Sequence, residues 1–166
     1  VGGSRYDTEF RRELLARVAV LGLQNRVVLH GFVRDPDALY ERAAIHVAPS
    51  LCEEALGNVV LEAKRVSRPS VVFPSGGLVE LVNHGVDGYV CETKSVPALV
   101  AGLRWMLADR NRLQRLGAAA REDYDRRFGP ERFAEQWANV YLKTAMRGID
   151  RRDRSGAPVV PRRRLT

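Results

Sequence analysis

Two carboxylates flank a glycine in the middle of this 166-residue chain. Residues 49–63 read Pro-Ser-Leu-Cys-Glu-Glu-Ala-Leu-Gly-Asn-Val-Val-Leu-Glu-Ala, so Glu54 precedes Gly57 and Glu62 follows it. Carboxylates bind sugar and ribose hydroxyls through charge-assisted hydrogen bonds. Glycine allows close backbone approach, and the free N–H groups at a helix start suit a diphosphate. The pattern fits a ligand that carries hydroxyls on both sides of a diphosphate.

The same spacing also has an ordinary structural interpretation. Glu62 would then be an exposed helix residue, and Glu54 would interact with the positive end of the helix dipole. On spacing alone this structural interpretation is favoured. The choice between the two interpretations therefore depends on the elements that position the carboxylates.

Short apolar runs rich in β-branched residues alternate with stretches of helical period, and this alternation predicts parallel βαβ units. Strands are predicted at 26–30, 45–48, 69–73 and 89–91. Helices are predicted around Phe10 to Gly22, at 36–43 with Asp35 as N-cap, at 58–66, at 78–83, after Ser95, from about Asn111, and from Glu131. The fold class is therefore α/β, with a parallel sheet flanked by helices.

Ligands of parallel α/β sheets bind at the carboxyl ends of the strands. This rule selects the loop after Ala48, which contains Glu54 and leads into the helix that carries Glu62. Both carboxylates can then face one crevice. In the last helix, five residues share one face, and their spacing predicts core packing: Phe133, Trp137, Val140, Tyr141 and Thr144.

The segment resembles the signature of the family 4 glycosyltransferases of the GT-B fold, in which a Pro-Ser loop precedes two glutamates that are separated by seven residues. The matching positions are Pro49, Ser50, Glu54, Gly57, Leu61, Glu62 and Ala63. Further matches are Arg68-Pro69, Val71-Val72, Gly76-Gly77, Glu80, Gly85, Gly88, Phe133, Trp137 and Tyr141. The resemblance covers residues 1–146 and implies the Rossmann-like, C-terminal half of a GT-B fold.

The resemblance implies a retaining transfer of a sugar from a nucleotide diphosphate donor. Glu54 would be catalytic and contact the transferred sugar, and Glu62 would bind the ribose. Leu56, Gly57 and Asn58 would approach the sugar and diphosphate through backbone N–H groups. Gly31, Phe32 and Val33 would line the nucleobase. No metal or cofactor is expected, and the acceptor would be a carbohydrate or a lipid-linked molecule.

Family members also carry a Gly-Arg-Leu loop and a Lys-Gly that neutralise the diphosphate, and the resemblance places these before Val1. We therefore expect the isolated chain to be incomplete at its N-terminus and inactive in transfer. A truncated, catalytically inactive nucleotide-sugar-binding module is the alternative. A GT-B epimerase is disfavoured because no catalytic histidine can be assigned. Lys64 and Arg65 could replace some of the missing charge, but solvated positions are favoured for both.

The positive charge is concentrated at the C-terminus. Of the formal net charge of +7, residues 147–166 carry +5, from seven Arg against two Asp. We expect this basic tail to be disordered and to follow a domain of residues 1–146. The favoured interpretation of this tail is a solvated chain end, and association with a membrane surface is the second. Binding of nucleic acid is disfavoured because no aromatic residues lie between the arginines. Two cysteines without metal-ligand spacing favour free thiols and a cytoplasmic location.

Overall fold

The computed structural model describes the backbone of residues 8–150 and the side chains of residues 9–146. The chain divides into two compact units, Val1–Arg42 and Ala43–Thr166.

The first unit contains helix α1 (Thr8–Val20) and helix α2 (Asp37–Arg42). Gly22, with φ of 65°, follows α1, as the predicted helix end requires. The Asp35 carboxylate accepts the Asp37 N–H at 3.2 Å, which confirms the predicted N-cap. The predicted strand at 26–30 is wrong, since this segment has no strand structure. An apolar run forms a strand only where a neighbour supplies hydrogen bonds, and none of the described residues forms a ladder with it.

The second unit contains the sheet and five helices within the described range. The strands are β1 (His46–Ala48), β2 (Ser70–Val72) and β3 (Gly88–Val90). The helices are α3 (Asn58–Arg65), α4 (Leu78–Leu81), α5 (Val96–Leu107), α6 (Arg110–Phe128) and α7 (Pro130–Asp150). The strands lie in the order β1-β2-β3, and both pairings are parallel. The predicted α/β class with a parallel, helix-flanked sheet is confirmed.

Strand β2 and the residue after it send side chains alternately to two apolar clusters, as period-two geometry requires. Val72 joins the cluster that contains Val60 and Leu78, whereas Val71 and Phe73 join the cluster on the other face. The first cluster contains Ala48, Val60, Val72, Leu78, Leu81 and Val82. The second contains Val71, Phe73, Cys91, Met106 and Leu116. The sheet is therefore covered on both faces, and α3 is fixed against the first face.

Helix α3 buries only part of the apolar face that its sequence suggests. Val60 and Ala63 are fully buried, whereas Val59 is 42% exposed. Helix α5 begins as predicted, because the Ser95 hydroxyl accepts the Ala98 N–H at 3.3 Å.

The aromatic face of α7 is exposed, so the prediction that it packs into the core is wrong. Phe133, Trp137 and Tyr141 are 61%, 46% and 67% exposed, and their rings contact one another at centroid distances of 6.0 and 5.7 Å. Helical spacing shows that a face is apolar but not what covers it. Helix α7 continues to Asp150, past the predicted domain end, and residues 151–166 lie outside the described range.

None of the helices in the described part of the chain is both long enough and apolar enough to span a membrane.

Candidate functional site

Three loops meet at the carboxyl edge of the sheet. They follow β1, β2 and β3, whose carboxyl ends lie side by side because both pairings are parallel. The Ser75 hydroxyl of the second loop donates to the Cys52 carbonyl of the first. From the third loop, the Lys94 ammonium donates to the Leu51 carbonyl at 3.1 Å. The first loop, 49–57, is thus held from both neighbours.

A pair of glycines forms the surface on which the first loop lies. The Gly77 N–H donates to the Glu54 carbonyl at 2.7 Å. A Cβ added at Gly76 would overlap the Glu54 backbone, and one added at Gly77 would lie 2.8 Å from the Ala55 carbonyl oxygen. The loop and the glycine turn are therefore in direct backbone contact, which larger residues would prevent.

Glu54 is half-buried in the first loop, and its side chain has a defined orientation. The Ser50 hydroxyl donates to Glu54 Oε1 at 3.0 Å, which leaves further acceptor capacity on the carboxylate. The backbone contact with the glycine turn and this hydrogen bond together fix the side chain at the sheet edge.

The turn into α3 depends on the conformation of Gly57. This buried residue has φ of 83°, the left-handed region that favours glycine, and a Cβ here would also collide with the Leu78 side chain. No described side chain caps the N-terminus of α3. Leu56 and Asn58 are exposed on either side of the turn, and the use of the backbone N–H groups of residues 56–58 by a ligand stays a prediction.

Glu62 borders a cleft between α3 and α6. The cleft has a volume of about 230 Å³. It is lined by Asn58, Leu61, Glu62, Arg65, Tyr124 and Phe128. Two predicted donor-binding residues, Glu62 and Asn58, thus line one cleft, and Asn58 is also the first residue of α3. The aromatic wall from α6 was not predicted, because only tertiary packing brings that helix against α3.

Lys94 is a cation at the site that sequence reasoning missed. Its ammonium lies 2.6 Å from Glu53 Oε1, and this contact holds the pKa of the Glu53 carboxyl below its ordinary value. The signal available in the sequence was its position shortly after a predicted strand, since every such loop reaches the same edge of a parallel sheet.

Lys64 occupies a different place from the one expected. It is 1% exposed, and its ammonium lies 2.9 Å from Asp87 and 2.7 Å from Asp123. The prediction of a solvated helix face is therefore wrong for Lys64. Its charge is balanced by two buried carboxylates of the fold.

Gly31, Phe32 and Val33 belong to the first unit, where Gly31 has φ of 68° and Phe32 is 60% exposed. Their contact with a nucleobase stays a prediction. In the second unit, burial lowers the pKa of His46 to about 4, and its Nδ1 lies 3.0 Å from the Ser70 hydroxyl. His46 is therefore a neutral strand residue at neutral pH.

Within the described part of the chain, no three His, Cys, Asp or Glu side chains form a group that could hold a metal ion. Both cysteines are free, with Cys52 exposed and Cys91 buried.

The glycine turn, the uncapped start of α3 and the two carboxylates lie within a segment that matches a known family profile. The profile of the family described as "Glycosyl transferases group 1" matches residues 1–123. The chain belongs to the group 1 glycosyl transferases.

Relatives in this family are considerably longer. An uncharacterised glycosyltransferase of Methanocaldococcus jannaschii is 32% identical over 133 residues, which are 79% of this chain and 34% of the relative. A D-inositol 3-phosphate glycosyltransferase of Xylanimonas cellulosilytica is 34% identical over 148 residues, 89% of this chain and 35% of the relative. This group 1 chain spans about a third of the length of these curated relatives.

The fold of this chain is also found in a solved structure. HepE of Anabaena in complex with UDP superposes with a TM-score of 0.80 at 26% identity, covering 86% of this chain and 39% of HepE. HepE has also been solved with UDP-glucose. The group 1 chain therefore shares its α/β fold with HepE, which has been crystallised with UDP and with UDP-glucose.

Proposed function

We propose that this chain binds the donor of a retaining glycosyl transfer, a nucleoside diphosphate sugar. The observation that carries the proposal is the uncapped N-terminus of α3, which begins at the Gly57 turn between Glu54 and Glu62. The HepE complexes with UDP and UDP-glucose support a uridine nucleotide as the first ligand to test.

Each part of the site has a physical role in this proposal. Glu54 is the catalytic carboxylate and accepts hydrogen bonds from the sugar, while Glu62 accepts from the ribose. The N–H groups near Leu56, Gly57 and Asn58 stabilise charge on the diphosphate as it leaves. The fixed loop holds an oxocarbenium-like sugar in position for attack. The scheme assigns no step to a metal or a cofactor.

The nucleobase would contact residues 31–33 of the first unit. We propose a carbohydrate or lipid-linked molecule as the acceptor of the whole protein. We assign it no site on this chain, which spans about a third of the length of its relatives. We therefore expect the 166-residue chain by itself to bind a donor without transferring it, which is also the behaviour of a binding module. A cytoplasmic location completes the proposal, with a solvated basic tail as the first interpretation and association of the tail with a membrane surface as the second.

Replacement of Glu62 tests the ribose assignment. Glu62→Gln keeps the size of the side chain but converts charge-assisted hydrogen bonds to neutral ones, so the affinity for UDP should fall about tenfold. Isothermal calorimetry measures this effect. Glu122→Gln, a change at an exposed carboxylate on α6, is the matched control and should bind as the parent does. Equal affinities of the Glu62 variant and the parent would reject the assignment.

Retention of configuration needs a protein that transfers the sugar. In any preparation of the protein that transfers the sugar, proton NMR of the first product should show the anomeric configuration of the donor. An inverted product would reject the retaining mechanism while leaving donor binding intact.

A further inference from the structure

The Lys64 ammonium is deeply buried. It is held between two carboxylates, Asp87 at 2.9 Å and Asp123 at 2.7 Å, and the side chains of all three residues are at most 5% exposed. Asp87 also accepts the backbone and side-chain N–H groups of Asn83 at 2.9 and 2.6 Å. No buried side-chain nitrogen or oxygen among the described residues lacks a partner. The group is thus a saturated network with one favoured geometry.

The network joins three separate parts of the second unit. Lys64 lies on α3, Asp87 lies in the turn before β3, and Asp123 lies on α6. Asp123 is held in turn by Arg126 at 2.7 Å and by Arg127 at 3.3 Å on its own helix. A buried ion pair is weak evidence for stability, since desolvation offsets much of the attraction. Its short, directional contacts do fix the distance between the elements that it joins.

The same two helices form the cleft at Glu62. Glu62 is two positions before Lys64 on α3, and Tyr124 directly follows Asp123 on α6. Both residues line the cleft, together with Phe128. A shift of α6 away from α3 would therefore widen the cleft at the carboxylate that the proposed function assigns to the ribose.

We propose that Lys64 is a positioning residue that sets the spacing of α3 and α6 and thereby the cleft that receives the donor's ribose. The ammonium does not touch the donor in this scheme, because its partners are Asp87 and Asp123. It acts through the helix that carries Glu62. The choice of ligand rests on the proposed function, whereas the role in helix spacing does not.

The test compares two variants with a control. Lys64→Met leaves Asp87 buried without a cation and leaves Asp123 with only the arginines of its own helix, so it is expected to be poorly folded. Lys64→Met/Asp87→Asn removes opposite charges together and leaves Asp123 with Arg126 and Arg127, so this variant is expected to fold. Arg115→Ala is the control, because Arg115 pairs with Asp109 at 3.9 Å near the start of α6 and takes no part in the network.

Two readouts separate positioning from general stability. Global unfolding lowers the hydrogen-exchange protection of all core amides equally, whereas loosening of one helix lowers only its own. In the double variant we expect protection of α3 amides to fall about tenfold relative to β2 amides. We expect the UDP dissociation constant to rise about tenfold. The Arg115 control should match the parent in both measurements.

Equal loss of protection in α3 and β2, or no loss, would overturn the positioning role. Parent-like UDP affinity in the folded double variant would also overturn it, even if exchange in α3 changes. Failure of the parent chain to bind UDP would count against the proposed function, and the α3-to-β2 exchange ratio would still decide whether Lys64 positions the helix.

Discussion

Glu54 and Glu62 are fixed by different means, although they belong to one candidate site. Glu54 depends on a loop that lies on two glycines and on a hydrogen bond from Ser50. Glu62 depends on α3, which is packed through Val60 and Ala63. Substitutions in the glycine turn should therefore affect Glu54 before they affect Glu62.

Gly76→Ala should destabilise the protein and displace the loop that carries Glu54. The new Cβ would overlap the Glu54 backbone at a φ of 47°, so strain and collision add. We expect a loss of about 3 kcal/mol or more in unfolding free energy. Chemical denaturation measures the loss.

Gly85→Ala provides the matched control for this prediction. Gly85 has φ of 77°, but no atom lies within 4 Å of an added Cβ. This variant carries the conformational cost alone, about 1–2 kcal/mol. Equal losses in the two variants would show that the close contact with the loop has no energetic role.

The sequence was most informative about single residues where a local rule applies. The Ser95 and Asp35 caps follow from N-cap chemistry, and both are confirmed. The places of Lys64 and Lys94 could not be predicted in this way. Their partners lie between 23 and 59 positions away, and no local pattern reports contacts at such separations.

At the scale of elements, α3 and α6 are joined by contacts of two kinds. The buried Lys64 network connects their interiors, and at the surface Arg121 donates to the Arg65 carbonyl at 2.6 Å, at the end of α3. Arg127 extends the connection to α4 by donating to the Glu80 carbonyl at 3.1 Å. The helix that carries Glu62 is thus held at several points by α6.

Asp123 should make part of the stability depend on acid pH. Burial raises its pKa, but Lys64 and the neighbouring Arg126 and Arg127 outweigh burial, so the pKa lies below the ordinary value of 3.8. A lowered pKa contributes stability that is present above pH 3.8 and is lost as pH falls through the folded-state value. Replacement of Asp123 alone keeps Asp87, the other carboxylate that contacts the Lys64 ammonium.

Asp123→Asn should therefore be less stable than the parent at pH 7 and should lose less further stability below pH 4, because only the parent has this carboxylate to protonate. Urea denaturation at a series of pH values between about 2 and 7 measures both effects. A variant whose stability falls as steeply in acid as that of the parent would contradict the prediction.

Prediction of the elements succeeded where a pattern and a partner coincide. The strands at β1, β2 and β3 and the helix at α3 were placed within a few residues, because buried apolar runs and turn signals mark them. The strand predicted at 26–30 does not form, although this segment has a similar run of apolar residues. Pairing is a tertiary property, and composition alone does not supply the neighbour.

At the scale of the whole molecule, the exposed face of α7 distinguishes this chain from a closed domain. Its large apolar side chains include Phe133, Trp137 and Tyr141, which are each more than two-fifths exposed. The periodicity is the same as that of a core helix, and for this reason the sequence predicted burial. The position of the helix at the surface depends on the packing of the rest of the unit.

Tyr141→Gln should change the unfolding free energy by less than about 1 kcal/mol, because the Tyr141 side chain is 67% exposed and buries little apolar area. Met106→Ala is the matched comparison, since Met106 is fully buried and should cost about 2–5 kcal/mol. Thermal or chemical denaturation of both variants tests the difference. Similar losses in the two would show that α7 is packed in solution.

The location of the donor is the central claim, and NMR titration tests it most directly. On addition of UDP to the nitrogen-15-labelled chain, we predict chemical shift changes at the amides of residues 54–62, at the carboxyl edge of the sheet. The groove at the other edge, which is lined by Ser67, Pro69 and Gly117, should stay unchanged. Shifts centred on that groove, or none at residues 54–62 at saturating UDP, would contradict the account.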